Sequence, residues 1–151
     1  NNFAYRYGNK GDISRGASPG NRFEPGKKPM STMAPTIIFD ENNELFLITG
    51  SPGGSDIPAA ILRVITGVID FDLDIGEATM LPRIHKDWPY VGLEHERAVS
   101  RDIVRRLKSM GHKTEYENTI GSTQSIHVIN GTNYGFADLR RPNAGVSVQT
   151  N

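Results

Sequence analysis

Apolar and polar residues follow one another in a pattern that predicts strands both before and after the helices. Short apolar runs at 36–40 and 45–49 are typical of strands, and the polar turn Glu41–Glu44 between them predicts a β-hairpin. Three more strands are predicted near the end of the chain, at 112–117, 124–130 and 133–138. The Asn130-Gly131 pair favours a tight hairpin turn between the last two strands.

Apolar residues at helical spacing predict three helices between these strands. From 57 to 71 the apolar positions cover more than one helical face, which predicts a largely buried helix with Ser55 as its N-cap. A short helix is predicted at 74–80, and a third begins after Ser100 and ends at Gly111. Strands therefore precede, separate and follow helices, so the predicted fold class is mixed α/β, in the broad sense that includes α+β.

Length and composition restrict the classes of protein to consider. The 151 residues fit one domain, with a loop-rich segment at 1–30 and a core at 31–145. Lys+Arg and Asp+Glu are both 17, so the zero net charge does not indicate a nucleic-acid partner or an anionic membrane surface. No apolar run approaches the roughly 18 residues that a membrane-spanning helix needs.

Candidate metal and nucleophile chemistry is limited by the residue types present. The absence of cysteine excludes disulfides, thiolate metal sites and a cysteine nucleophile, and is compatible with either cytoplasm or periplasm. The four histidines show no metal-ligand spacing, so no metal is expected. His85 lies in a segment dense in polar and aromatic residues, and either lines a site or is a hydrogen-bonded structural histidine.

Two further segments resemble known functional motifs but lack residues that those motifs require. Gly16-Ala17-Ser18-Pro19-Gly20 has the spacing of a hydrolase nucleophile elbow, but Pro19 lacks the N–H that the oxyanion hole of that elbow requires. Asp70, Asp72 and Asp74 alternate as at the start of a calcium loop, but the loop glycine and the final glutamate are misplaced. A charged connection between helices is the better interpretation of that segment.

The segment Gly50–Ser55, here called the glycine turn, is the strongest candidate site. Gly53 and Gly54 allow the backbone to aim two N–H groups at one point at the start of a helix. Spacing alone leaves both a structural turn and an oxyanion site open. The predicted hairpin would bring Ser31 and Thr32 into the neighbourhood of these glycines, and two hydroxyl and two backbone donors would suit a carboxylate beside a reacting carbonyl.

These two segments together resemble the small-subunit signature of the γ-glutamyltransferases. The signature is carried by Lys28–Thr36 and Thr49–Ser55, and the resemblance extends over about 22–145 and to the Asn1-Asn2 pair. Later segments agree in the same order: Glu77-Ala78, Pro82–His85, Gly121–Ile126 and Gly135–Pro142. The resemblance implies an N-terminal-nucleophile hydrolase fold, an αββα sandwich that is incomplete in this chain.

The family resemblance also implies a mechanism and partners. A threonine exposed by self-cleavage would be the nucleophile, and it would lie upstream of this chain. Gly53 and Gly54 would form the oxyanion hole, and Ser31 and Thr32 would bind the α-carboxylate of a small γ-glutamyl donor, without metal or cofactor. The large subunit of the same precursor would be the partner, and the periplasm or the exterior the location, with cytoplasm also open.

We therefore expect this chain to be the C-terminal part of a small subunit, inactive alone. Since the sheets of the family span both subunits, exposed strand edges and self-association are expected of the isolated chain. A non-catalytic binding or assembly module with the same fold is the alternative from a different class.

Arg6 departs from the resemblance at a position that affects specificity. It falls about where the family has an aspartate that holds the substrate α-ammonium. A unit charge at about 4 Å is worth roughly 4 kcal/mol at an effective dielectric of 20, so the reversed sign would repel that ammonium. Either the donor lacks a free α-amine, as in a glutaryl amide or an internal unit of poly-γ-glutamate, or Arg6 faces solvent.

Overall fold

The computed structural model describes residues 19–87 and 92–147, which form a mixed α+β fold. In chain order the elements are β1 (Thr36–Phe39), β2 (Leu45–Gly50), α1 (Ile57–Ile69), α2 (Ile75–Met80), β3 (Ile84–His85), β4 (Gly92–His95), α3 (Arg101–Ser109), β5 (Lys113–Tyr116), β6 (Gln124–Ile129) and β7 (Thr132–Ala137). The predicted strands and helices are confirmed to within two residues at each end. The strands β3 and β4 were not predicted.

Four strands form an antiparallel sheet in the order β1-β2-β6-β7. The β1–β2 hairpin pairs Thr36 with Thr49, and β2 then pairs with β6 from the other end of the chain. The hairpin between β6 and β7 turns at Asn130 and Gly131, whose φ angles of 51° and 76° are the positive values that a type I′ turn requires.

A second sheet of three strands has the order β3-β4-β5. Strands β3 and β4 are antiparallel, whereas β4 and β5 are parallel and are connected through α3. Sequence patterns missed β3 and β4 because they are two and four residues long and carry polar residues such as His85 and Glu94. Too few positions are available there for alternation to show.

The core lies between the four-stranded sheet and the helices α1 and α2. Its buried cluster consists of Leu47, Val64, Val68, Ile75 and Ala78. The two helices approach closely where Gly67 faces Ala78, because a Cβ placed on that glycine would lie only 2.9 Å from the alanine Cβ. A glycine within α1, which weakens an isolated helix, is thus required by the packing.

The helix α1 begins at Ile57 as predicted, but its N-cap differs from the prediction. Ser55 is not the N-cap, because Gly54–Asp56 form a 3₁₀ turn and Asp56 occupies the cap position without a side-chain capping bond. The helix is also less buried than predicted, since Leu62 is 60% exposed and Ile69 is 51% exposed. The predicted cap of α3 is confirmed, because the Ser100 side chain accepts a hydrogen bond from Ile103 N.

The face of the four-stranded sheet opposite α1 and α2 carries a row of apolar side chains. Ile37, Ile48 and Ile126 are directly paired across β1, β2 and β6 and therefore share this face, here called the open sheet face. Ile37 is 59% exposed and Ile126 is 39% exposed.

Among the described residues no helix is both long and apolar enough to cross a bilayer.

His127 provides a test of how the core responds to acid. It lies on β6 with only 9% exposure, its Nε2 has no hydrogen-bond partner among the described residues, and burial lowers its pKa. The neutral ring is therefore the form that fits the folded state. Stability contributed by this residue is complete above the ordinary pKa of about 6.5 and is lost as pH falls through the lower folded value.

We expect His127→Phe to reduce the loss of thermal stability that the full-length protein shows on acidification below about pH 6.5. The melting temperatures of the parent protein and of His127→Phe are measured across that pH range. His112→Asn, just before β5, is the control variant. An unchanged pH dependence in His127→Phe would show that the buried ring does not titrate in this range.

Candidate functional site

The glycine turn leaves β2 and enters α1 through two unusual backbone conformations. Gly53 has a φ of 143° and Gly54 a φ of 63°, and both values are rare for residues with a side chain. Within residues 19–87 and 92–147, no hydrogen bond uses the N–H of either glycine as its donor. The turn therefore presents two adjacent backbone donors that an external acceptor could use.

The glycine turn packs directly on the loop before β6. A Cβ on Gly53 would lie 3.2 Å from the Cα of Gly121. A Cβ on Gly121 would in turn lie 2.6 Å from the Ala60 Cβ and 2.8 Å from the Ser51 Oγ. The Ser51 Oγ also accepts a hydrogen bond of 2.9 Å from Ser122 N. The conformation of the turn is thus supported by a backbone contact that leaves no room for side chains.

The loop that supports the turn is itself fixed by a buried ion pair. Arg83 and Asp138 have side chains that are 1% and 0% exposed, and their Nη2 and Oδ2 atoms lie 2.8 Å apart. Arg83 also donates to Ile120 O at 2.9 Å and to Thr123 Oγ1 at 3.0 Å. The same oxygen of Asp138 accepts from Thr123 N at 3.0 Å. These bonds anchor both sides of Gly121.

A second ion pair extends this cluster. Arg140 forms a two-pronged contact with Glu96, through Nε to Oε1 at 2.7 Å and Nη2 to Oε2 at 2.8 Å. Burial would raise the pKa of Asp138, but the Arg140 N–H and the charges of Arg83 and Arg140 outweigh it and hold that pKa below its ordinary value. The carboxylate therefore remains ionised against two guanidinium groups.

Ser31 and Thr32 lie before β1, at the same end of the sheet as the glycine turn. Because Thr36 pairs with Thr49 in antiparallel register, the segment before β1 and the segment after β2 leave the sheet together. Continued in the same register, Thr32 would stand opposite Gly53, although neither residue is in a strand. The Ser31 Oγ accepts from Met33 N at 3.1 Å. Arg6 lies outside the described residues.

His85, for which the sequence left both a site role and a structural role open, lies among carboxylates. One of them is Asp56, which directly follows the glycine turn. The Nε2 of His85 is 2.9 Å from Asp87 Oδ1 and 3.7 Å from Asp56 Oδ1, and the histidine side chain is 9% exposed. Burial raises the pKa of Asp56, the nearby Asp87 raises it further, and His85 partly opposes this shift. Glu94, on the strand paired with β3, stands opposite His85 in register.

Several contacts of these residues were outside the reach of sequence reasoning. Tertiary contacts between segments far apart in sequence bring Glu94 to Asp56 and His85, and separately bring Arg83 to Asp138. Arg83, Gly121 and Asp138 did carry a signal, because each lies in a segment that belongs to the resemblance. The contact of Gly121 with Gly53 could not be inferred from spacing.

Comparisons with known proteins agree on one family. The family model described as gamma-glutamyltranspeptidase matches residues 1–148. The chain is 40% identical over 121 residues to a glutathione hydrolase proenzyme of Escherichia coli, which covers 80% of the chain and 21% of that protein. It is 35% identical over 137 residues to the glutathione hydrolase proenzyme of Bacillus subtilis, which covers 87% of the chain and 23% of that protein.

A solved structure shows that the likeness extends to the fold. A mutant gamma-glutamyltranspeptidase of Helicobacter pylori superimposes with a TM-score of 0.77 at 36% identity, over 82% of this chain and 69% of that one. In sequence, the chain spans about a fifth of the length of the two proenzymes, as the shares of 21% and 23% show.

Proposed function

The chain belongs to the gamma-glutamyltranspeptidase family, and from this premise we propose that it is part of an enzyme that transfers or hydrolyses γ-glutamyl groups. The observation that carries the proposal is the pair of N–H donors at Gly53 and Gly54, which sit at positive φ on a support formed by Gly121. The relatives named glutathione hydrolase proenzymes support the reaction class.

In the proposed reaction a threonine hydroxyl, supplied from outside this chain, attacks the γ-carbonyl carbon of the donor. The carbonyl oxygen becomes an oxyanion that accepts hydrogen bonds from the N–H groups of Gly53 and Gly54. The C–N bond then breaks, and the leaving amine takes the proton that the threonine hydroxyl gave up. Water or an acceptor amine attacks the resulting ester and regenerates the threonine.

Ser31 and Thr32 have the role of binding the donor α-carboxylate in this proposal. Their segment leaves the sheet at the same end as the glycine turn, and hydroxyl groups suit an anionic acceptor. Such contacts hold the donor in place before and during the reaction. Their loss should therefore raise KM and leave kcat largely unchanged.

The partner in this proposal is the rest of the precursor, and the open sheet face supports it. Ile37 and Ile126 leave an apolar row uncovered on a sheet whose opposite face is packed by α1 and α2. A contiguous apolar face of a sheet is normally covered by another layer. In the isolated chain this face and the edge strand β1 would favour self-association.

A second candidate is an acylase or depolymerase for donors without a free α-amine. The sequence observation that favours it is Arg6, a positive charge about where the resemblance would place a carboxylate for the substrate ammonium. The two candidates share the glycine turn and the proposed threonine, and differ only in the donor.

Comparing the turnover of two donor substrates tests the proposal and distinguishes the two candidate functions. We expect the full-length protein to hydrolyse γ-glutamyl-p-nitroanilide, and the Ser31→Ala/Thr32→Ala double variant to show a KM raised by about tenfold or more, since hydrogen bonds to a charged group are worth about 1.5–3 kcal/mol each. Ser109→Ala, far away at the end of α3, should leave KM unchanged.

Glutaryl-p-nitroanilide is the comparison donor. Faster turnover of the glutaryl compound, reversed by Arg6→Asp, would favour the second candidate. Turnover of neither amide by a correctly folded full-length protein would contradict the proposed function as a whole, and would favour the assembly module.

A further inference from the structure

Three potential metal ligands converge behind the glycine turn. Asp56 stands at the N-terminus of α1, His85 on β3 and Glu94 on β4, and their ligand atoms all lie within 4.8 Å of one another. The last two are directly opposite in the register of β3 and β4, so the sheet itself holds them side by side. The group is thus built from three elements of secondary structure.

The distances within this group suit a small cation. In a tetrahedral site with metal–ligand bonds of about 2.0–2.2 Å, neighbouring ligand atoms lie roughly 3.3–3.6 Å apart. The His85 Nε2 and the Asp56 Oδ1 are 3.7 Å apart, already close to this spacing. The Glu94 oxygen lies within 4.8 Å of both, and its longer side chain can adjust to complete the site.

The charges in this region are unbalanced in the direction that a cation would correct. Three carboxylates (Asp56, Asp87 and Glu94) surround a single imidazole that is 9% exposed. The carboxylate of Glu117 adds a further negative charge that acts on both Asp56 and Glu94. A bound divalent cation would offset the negative charge of this cluster.

We propose that Asp56, His85 and Glu94 bind a divalent transition-metal cation. An imidazole combined with carboxylates suits Zn²⁺ and its neighbours in the first transition series, whereas Mg²⁺ and Ca²⁺ prefer sites made of oxygen alone. The histidine spacing predicted no metal because the ligands are distributed over three segments and include only one histidine. This site shares no residue with the N–H donors of the glycine turn, and metal binding does not depend on the proposed reaction.

Metal titration of the full-length protein tests this site. After treatment with a chelator, titration calorimetry with ZnCl₂ should show one equivalent that His85→Asn and Glu94→Gln both lose or bind at least about 100-fold more weakly. His112→Asn is the matched control and should bind as the parent does. MgCl₂ at the same concentrations should give no comparable binding.

Co²⁺ provides a second readout that does not depend on heat or activity. Bound to these ligands, it should give a visible absorption band that is present in the parent and in His112→Asn and absent from His85→Asn and Glu94→Gln. Glu94→Gln keeps the size and shape of the side chain, so circular dichroism of this variant separates loss of a ligand from loss of fold. Full Zn²⁺ affinity in either variant, or none in the folded parent, would overturn the proposal.

Discussion

Replacement of Gly53 by alanine in the full-length protein is expected to lower kcat/KM for γ-glutamyl-p-nitroanilide by about 100- to 1,000-fold, the usual effect of losing one oxyanion donor. A φ of 143° is rare for alanine, and the added Cβ would lie 3.2 Å from the Cα of Gly121. The turn has to move, and its N–H groups then no longer point at the position of the proposed oxyanion. Steady-state kinetics measure the effect.

The control for this variant is Gly131→Ala in the hairpin between β6 and β7. Gly131 has a φ of 76° and open space around its Cα, so its alanine variant experiences backbone strain without displacing the glycine turn. We expect it to lose about 1 kcal/mol of stability and to keep its activity. Activity of folded Gly53→Ala within threefold of the parent would contradict the oxyanion role.

Replacement of Arg83 by methionine should produce the largest loss of stability in this part of the protein. The change leaves the fully buried Asp138 with Arg140 as its remaining guanidinium partner, and breaking a buried pair such as Arg83–Asp138 costs about 3–5 kcal/mol. It also removes the hydrogen bonds to Ile120 and Thr123. Denaturant unfolding of the full-length protein should show a clearly lower midpoint.

Two further variants accompany this prediction: one is a control at an exposed ion pair, and the other tests the cause of the lost stability. Arg105→Met removes an exposed partner of Asp102, where both side chains are about four-fifths exposed (78% and 82%), and should change stability by less than about 1 kcal/mol. Adding Asp138→Leu to Arg83→Met removes the buried carboxylate that has lost Arg83 and should restore part of the loss. Equal destabilisation by Arg105→Met and Arg83→Met would refute the importance of burial.

Hydrophobic pattern predicted most of the fold because strands such as β6 and helices such as α1 are long enough to show their period. Short elements do not show a period and were not predicted; β3, for example, is only two residues long. The N-cap of α1 was assigned wrongly because two glycines at positive φ allowed a 3₁₀ turn, which sequence rules for an N-cap do not anticipate. Buried polar residues such as Arg83 are equally invisible to a pattern of apolar positions.

Prediction of the candidate site went as far as local chemistry permits. Adjacent glycines imply a backbone that can present N–H groups, so Gly53 and Gly54 could be singled out from their residue type alone. Their support by Gly121 depends on a contact across the fold, and the cluster around His85 depends on the pairing of β3 with β4. Such contacts arise only when the sheet registers are known.

The pairing of β2 with β6 sets a condition on how this chain reaches its native state. Leu47 pairs with His127, roughly 80 residues later, and contacts at such separation slow folding. During synthesis the β1–β2 hairpin leaves the ribosome long before β6, and it must wait with one edge unpaired. Until residue 129 is released, β2 lacks the strand that it pairs with in the fold, and such an unpaired strand edge favours misassociation.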